Sequence, residues 1–304
     1  MLKMEKNILK ANAITHSGSF HADDVFSAVF LSKIMPELIL CRVNELPENW
    51  NETNSLVFDV GGGEFDHHGI DAKIRENKIK YSAFGLLFEK FGCDFLKRLE
   101  VKNIHLVYES ILKDFILQID AFDNGIFPKS PDIYTITSLS TAIELFNPSW
   151  KELESSDDSF KKAFLFAEMI FDRIIKRIVD KVSAKDFVEA AIEKSKDHIL
   201  ILDTYMPFME FVLTSENDLA KDIIYAIFPS NREGYNIRAV NKEIGSHANR
   251  LNFPKEWGGK TEQELKSLTN ISTFRFCHSN LFLCACGNLE DAKKIASLAL
   301  KEKK

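Results

Sequence analysis

The chain has 304 residues, enough for about two domains at ~150 residues each, and its 45% hydrophobic and 28% charged residues suit a globular protein with a sizeable core. A net charge of −6 argues against a surface that holds duplex DNA by charge alone, although a short nucleotide could still enter a cleft where metal ions supply positive charge. No apolar run approaches the ~20 residues needed to cross a membrane, and the N-terminus MLKMEKNILKANAITHSG lacks the apolar core of a signal peptide, so a cytoplasmic location is expected.

In chain order, Ala11 to His16 reads as a strand, and Asp24 to Ile34 as a helix with apolar Val25, Phe26, Val29, Phe30 and Ile34, stopped by Pro36. Leu38 to Val43 and Leu56 to Val60 read as further strands, the latter a continuous apolar run broken only by Asp59, as expected of strands buried on both faces of a parallel sheet. Gly61, Gly62 and Gly63 mark a sharp loop. Helices are expected at about Ser82–Phe91 and Ile104–Ile119. A largely helical stretch follows from about Tyr134 to Lys194, with the polar KELESSDDS (Lys151–Ser159) as a loop before a helix at Phe160–Asp180. Strands then return at Ile199–Asp203, Ile223–Phe228, Tyr235–Val240, Thr273–Cys277 and Leu281–Cys286, and Asp291–Lys301 closes the chain as an amphipathic helix. The fold class is therefore α/β: a doubly wound, mostly parallel sheet in residues 1–150, a helical connector in 151–195, and a smaller α+β domain in 196–304.

The 25 Phe fall mainly in apolar periodic segments and are read as core filling rather than as a platform for bases. The five cysteines, Cys41, Cys93, Cys277, Cys284 and Cys286, form no CxxC pair and are read as reduced core thiols. Cys284 and Cys286 alternate on a strand and so face one way.

Four clusters of metal-capable side chains lie in the first 125 positions. THSGSFHADD offers His16, His21, Asp23 and Asp24 between a strand and a helix, at the carboxyl end of the sheet, where open α/β sheets bind ligands. FDVGGG offers Asp59, FDHHG offers Asp66, His67 and His68, and QIDAFDNG offers Asp120 and Asp123. Singly, Asp24 reads as a helix cap, Asp123 as a turn residue, and His105 and His198 as surface or packing residues. Together, the carboxylates Asp59 and Asp120 at the ends of buried segments are costly unless a cation or a donor compensates them. Imidazole and carboxylate without thiolate suit Mn, Fe, Co or Zn rather than a structural zinc site. Six or more ligands are too many for one tetrahedral ion and fit two cations sharing a carboxylate, an arrangement that serves phosphoryl transfer with water as nucleophile. GxSxG and P-loop motifs are absent.

The string Asp66–His67–His68, with the preceding His-x-Asp and two isolated aspartates, resembles the DHH phosphoesterase superfamily. THSGSFHADD, VFDVGGGEFDHHG, SAFGLLFEKFG, IDAFDNGI and LFNPSW resemble one branch of it, the Myg family, which has been labelled a metal-dependent protein hydrolase and includes a eukaryotic exoribonuclease. The resemblance runs nearly end to end, through MPFMEFV, YNIRAVNKEIGSHANRLNFPKEWGG and FCHSNLF.

The resemblance implies that His16, His21 and Asp23 divide between two divalent metals, most often Mn²⁺, with Mg²⁺, Co²⁺, Fe²⁺ and Zn²⁺ as alternatives. It makes Asp59 the bridging carboxylate, His67 a ligand, and His68 the phosphate contact or acid. Asp66 orients the imidazoles, and Asp120 completes the second metal's shell, with Asp123 as the alternative and Asp24 facing away. In the superfamily the C-terminal domain holds substrate, which implies roles for Arg250, Arg238, Ser246 and His278, with His247 a further candidate. The usual GGGH-like string is missing there, and FCHSN takes its place. Phe253 and Trp257 are expected to pack rather than stack on bases.

The implied activity is a metal-dependent 3′–5′ exonuclease on short single-stranded RNA or DNA. The alternatives are a hydrolase of a small phosphoanhydride or cyclic dinucleotide, a peptide or amide hydrolase, and a non-catalytic binding protein. A homodimer is left open.

Overall fold

The computed structural model describes residues 2–69, 72–129 and 133–301. The fold is mixed α/β, as the alternation of apolar runs predicts, and divides into two compact units, Met1–Asp180 and Lys181–Lys304.

In the first unit, β1 (Lys3–Met4), β2 (Ala13–His16), β3 (Ile39–Val43) and β4 (Leu56–Val57) form a parallel sheet in the order β1-β3-β2-β4. Because β2 pairs with β4, the chain segments leaving these two strands emerge side by side at one end of the sheet. The expected strand Leu56–Val60 is shorter than its apolar run. Asp59 adopts φ 56°, a left-handed conformation rare for a side chain with a Cβ, and Gly61 and Gly62 follow at φ 85° and 73°. The chain turns back on itself, and Asp59 N–H donates to Phe65 O at 2.9 Å.

Helix α1 (Ala22–Ile34) follows β2. Its ten residues Ala22–Leu31 are all buried, so it is a core helix rather than an amphipathic surface one, and Pro36 prevents its extension. Helix α2 (Ala83–Arg98) starts at Ser82, whose side chain accepts from Gly85 N–H. The helix expected at Ile104–Ile119 is interrupted: α3 (Ile104–Ile111) and α4 (Leu117–Asp123) flank a π-helical segment, Leu112–Ile116. Next come α5 (Leu139–Glu144) and the 38-residue α6 (Ser156–Glu193), whose first turn takes up the end of the polar segment expected to be a loop.

The phenylalanine excess is structural here. Phe26, Phe30, Phe84, Phe88, Phe95, Phe115 and Phe171 make a continuous ring cluster, with centroids 5.0–6.4 Å apart, among α1, α2, the π segment and α6.

The second unit is a five-stranded mixed sheet in the order β5-β6-β7-β9-β8, built from β5 (Ile199–Ile201), β6 (Tyr225–Pro229), β7 (Tyr235–Ala239), β8 (Phe274–Cys277) and β9 (Leu283–Cys286). Side-chain alternation splits its residues between two cores. Tyr225, Ile227, Ile237 and Phe274 pack with α9 (Glu262–Thr269) and α10 (Leu289–Lys301). Leu200, Ala226 and Phe228 pack with Val188 and Ile192 of α6, with α7 (Met209–Thr214), and with Ala220 of α8 (Asp218–Asp222). Cys284 and Cys286 are both buried in the first of these cores, as their alternation requires. Phe253 and Trp257 are also buried there, as packing residues.

Candidate metal centre

His16 ends β2, His21 precedes α1, Asp23 and Asp24 lie in the first turn of α1, Asp59 follows β4, and His67 lies in the loop beyond the glycine turn. The pairing of β2 with β4 brings the strand ends that carry His16 and Asp59 together. Three groups of side chains have ligand atoms within 4.8 Å of one another: His16, Asp24 and Asp59; Asp59, His67 and His68; and His21, Asp23 and Asp123.

Asp59 belongs to two of these groups. Its Oδ2 lies 3.2 Å from His16 Nε2, and its Oδ1 lies 3.1 Å from His67 Nε2. One carboxylate thus presents one oxygen to each half of the cluster, and its left-handed backbone sets that direction. His16 Nδ1 is 3.0 Å from Ser17 O, a carbonyl that can only accept, so Nδ1 carries the proton of a neutral ring. The lone pair of Nε2 would then face Asp24 Oδ2 at 2.8 Å and Asp59 Oδ2 at 3.2 Å. Three electron-rich atoms converge, and only a cation or a proton relieves them.

The second half has the same character. His67 Nε2 lies 3.1 Å from Asp59 Oδ1, 3.2 Å from Asp123 Oδ2 and 3.6 Å from Asp23 Oδ2. Both oxygens of Asp23, with Asp24 Oδ2, Asp59 Oδ1 and Asp123 Oδ2, are buried without a well-directed hydrogen bond. Leaving five such oxygens unsatisfied is costly, and cations are the compensation this donor set is suited to hold.

The electrostatics carry the same strain. Burial opposes charge on His16, but its bonds to Asp24 and Asp59 outweigh that and raise its pKa to about 10. Burial also works against ionised Asp59, yet His16 and His67 bring it down to about 2. Asp23 is pushed well up, by burial first and then by the charges of Asp59, Asp123 and Asp24.

Asp66 accepts from Gly62 N–H and from the His68 N–H at 3.1 Å, and His68 Nδ1 lies 2.8 Å from its Oδ1. His68 is thereby held at the mouth of a cleft of about 590 Å³, with His21, Lys80, Asp123 and Glu144 also lining it.

Two expectations about position are corrected. Asp120 is not brought into the cluster. It is buried, its Oδ2 accepts from Arg75 Nε and Nη2 at 2.9 and 2.6 Å, and its Oδ1 accepts from Ser82 N–H and Oγ–H at 3.1 and 2.8 Å. Those four donors saturate the carboxylate, while Asp123, one turn further along, reaches His67. Asp24 does not face away. Its Oδ1 accepts from His21 N–H at 3.2 Å, which turns Oδ2 toward His16. Arg250 is engaged in the fold of the second unit: its Nη1 donates to the carbonyls of Ala220, Lys221 and Ile223, at the end of α8.

Of the remaining second-unit candidates, Arg238 and His278 both rest against the Phe282 ring. Arg238 sits on β7 with its guanidinium over Phe282 and its buried Nε without a partner. Ser246 Oγ accepts from Ala248 N–H, and His278 Nδ1 accepts from Asn280 N–H.

Two residues that sequence reasoning did not single out hold the loop carrying the first cluster. Arg42, on β3, donates to His16 O at 3.1 Å and Gly18 O at 2.9 Å while lying 4.5 Å from the Phe160 ring. Asn147 brackets Phe20, accepting from its N–H at 3.0 Å and donating to its carbonyl at 2.8 Å. The only signal for Asn147 was its place in LFNPSW. No helix among the described residues is long and apolar enough to cross a membrane.

Comparison with known proteins gives the same end-to-end picture. The chain is 28% identical to the MYG1 protein of Dictyostelium discoideum, over 95% of this chain and 96% of that one. It is 27% identical to a MYG1 protein of Saccharomyces cerevisiae, over 98% and 96%, and 25% identical to the human MYG1 exonuclease, over 95% and 85%. No solved structure matches. The family model MYG1_exonuc, described as Uncharacterised protein family (UPF0160), matches residues 12–300, and the chain belongs to that family.

Proposed function

We propose that the chain is a metal-dependent phosphodiesterase that shortens single-stranded nucleic acid from its 3′ end, with its reaction centre in the first unit. The observation that carries this reading is Asp59, which offers one oxygen to His16's half of the cluster and the other to His67's half. The relatives named MYG1 exonuclease support a nuclease over other hydrolases. The DHH-type string Asp66–His67–His68 supports phosphoester rather than amide chemistry.

The residues fit two divalent cations, Mn²⁺ foremost. His16, Asp24 and Asp59 would hold one; Asp59, His67, Asp23 and Asp123 would hold the other, with His21 at its edge. Bound there, such cations supply positive charge for a phosphate and a water acidic enough to attack at neutral pH. The chain's own groups do the rest. Ser17 O fixes the His16 ring so that Nε2 keeps its lone pair. Asp66 accepts from His68 Nδ1 and leaves Nε2 to contact a phosphate oxygen or move a proton to the leaving group. The net charge of −6 favours a short, single-stranded substrate.

The test is hydrolysis of a 5′-labelled RNA oligomer and of bis-p-nitrophenyl phosphate, with Mn²⁺ and with EDTA, for the parent and for Asp59→Ala and His67→Ala. A ladder that shortens stepwise, requires metal and disappears in both variants is the expected result. Metal-dependent cleavage of the small ester alone would move the substrate to a small nucleotide. Activity that survives EDTA and both substitutions would overturn the proposal.

A further inference from the structure

Three of the five cysteines lie in one core of the second unit, and two of them stand directly opposite each other. Cys277 on β8 and Cys284 on β9 are register partners. The neighbouring His278 N–H donates to Leu283 O at 2.9 Å, so 278 and 283 form the hydrogen-bonded pair and 277 and 284 the non-bonded one. The Cys277 carbonyl agrees: it points out of the sheet and accepts from Gly259 N–H at 3.0 Å. In a non-bonded antiparallel pair the Cα atoms are about 4.5 Å apart with side chains on one face, which falls within the ~4.4–6.8 Å span a disulfide requires. The Cys277 thiol donates to the His278 carbonyl at 3.8 Å, on its own strand.

We propose that Cys277 and Cys284 are a redox pair, converted by peroxide into a reversible cross-strand disulfide. The Cys277 sulfur attacks one peroxide oxygen, the O–O bond breaks, and a sulfenic acid and water result. The Cys284 sulfur then attacks the Cys277 sulfur, the S–O bond breaks, and a second water leaves as the S–S bond forms. Two thiols lose two electrons and two protons, and one peroxide becomes two waters. The roles are unequal. Cys277 lies on the outer strand and Cys284 on the inner one; the neighbouring Cys284 lowers the Cys277 pKa against the effect of burial, while burial raises that of Cys284. Cys277 is thus the attacking group and Cys284 the resolving one. Access comes through β8, one of the sheet's two edge strands: it is four residues long, irregular between Phe274 and Phe276, and held on its outer side at Cys277 by the Gly259 N–H, so it opens at lower cost than the strands inside the sheet. Cys286 has Phe274 opposite it and no thiol partner across the ladder.

The experiment uses the full chain carrying Cys93→Ser, which removes the exposed thiol and leaves four. The folded protein is treated with hydrogen peroxide, alkylated under denaturing conditions, and digested for mass spectrometry. The expected result is a fall from four free thiols to two, a peptide pair joined through Cys277 and Cys284, and full recovery of both thiols with dithiothreitol. Adding Cys284→Ala is expected to abolish the joined pair and leave Cys277 as sulfenic acid, trapped by dimedone. If Cys277 and Cys284 both stay alkylatable at peroxide levels that oxidise Cys93 in the parent, or if the bridge forms to Cys286, the proposal is overturned.

Discussion

Asp120 and Asp123 differ by less than one helical turn and have opposite occupations. Asp120, with 0% side-chain exposure, is locked to Arg75, with 9%, in a buried pair. Removing one partner of such a pair leaves a charge without compensation, so Asp120→Ala is expected to cost about 3–5 kcal/mol of stability, read by urea unfolding. Asp123→Ala is expected to leave unfolding nearly unchanged and to weaken Mn²⁺ binding by more than about 100-fold, read by titration calorimetry. The reverse pattern would return Asp120 to the metal shell. Arg250→Ala is expected to lower stability by about 2 kcal/mol, since three carbonyls lose one charged donor. His16 and Asp59 stood out in the sequence as polar groups at the end of an apolar run, and His67 through the Asp66–His67–His68 string. Asp123 over Asp120 was not legible there, because both satisfy the same helical spacing and only Arg75, 45 residues away, distinguishes them.

At the scale of elements, the π segment Leu112–Ile116 was not readable from the sequence. It puts an extra residue into one turn, so everything in α4 is rotated relative to an uninterrupted helix, and no residue type announces it. The strands and the long helices were readable from period alone, whereas the early end of β4 came from Asp59's backbone, which apolar content does not report. The start of α10 offers a pH test away from the metal centre. Asp291 accepts from Thr273 Oγ1 at 2.7 Å and pairs with Lys294, and its pKa is lowered by those bonds. A carboxylate lowered on folding contributes stability that is present above its unfolded pKa, near 3.8, and lost as pH falls through its folded value. Asp291→Asn is expected to unfold about 1 kcal/mol more easily at neutral pH, with the gap closing in acid. A gap independent of pH down to strong acid would refute that account.

For the whole molecule, the division into two compact units predicts two unfolding transitions rather than one. All the candidate ligands lie in the first unit. Mn²⁺ at about 100 times its dissociation constant is expected to stabilise that unit by about 2.7 kcal/mol, and calorimetry should show one transition rising while the other stays. Movement of both together would show that the units unfold as one. The clamp on the His21 loop has a further consequence, in time rather than in space. Asn147 is made 127 positions after the Phe20 it brackets, so a growing chain carries His16 and His21 long before it owns the residue that clamps the loop between them. Until then the imidazoles and carboxylates of the cluster are a loose set, and they reach their final spacing only when the first unit is complete.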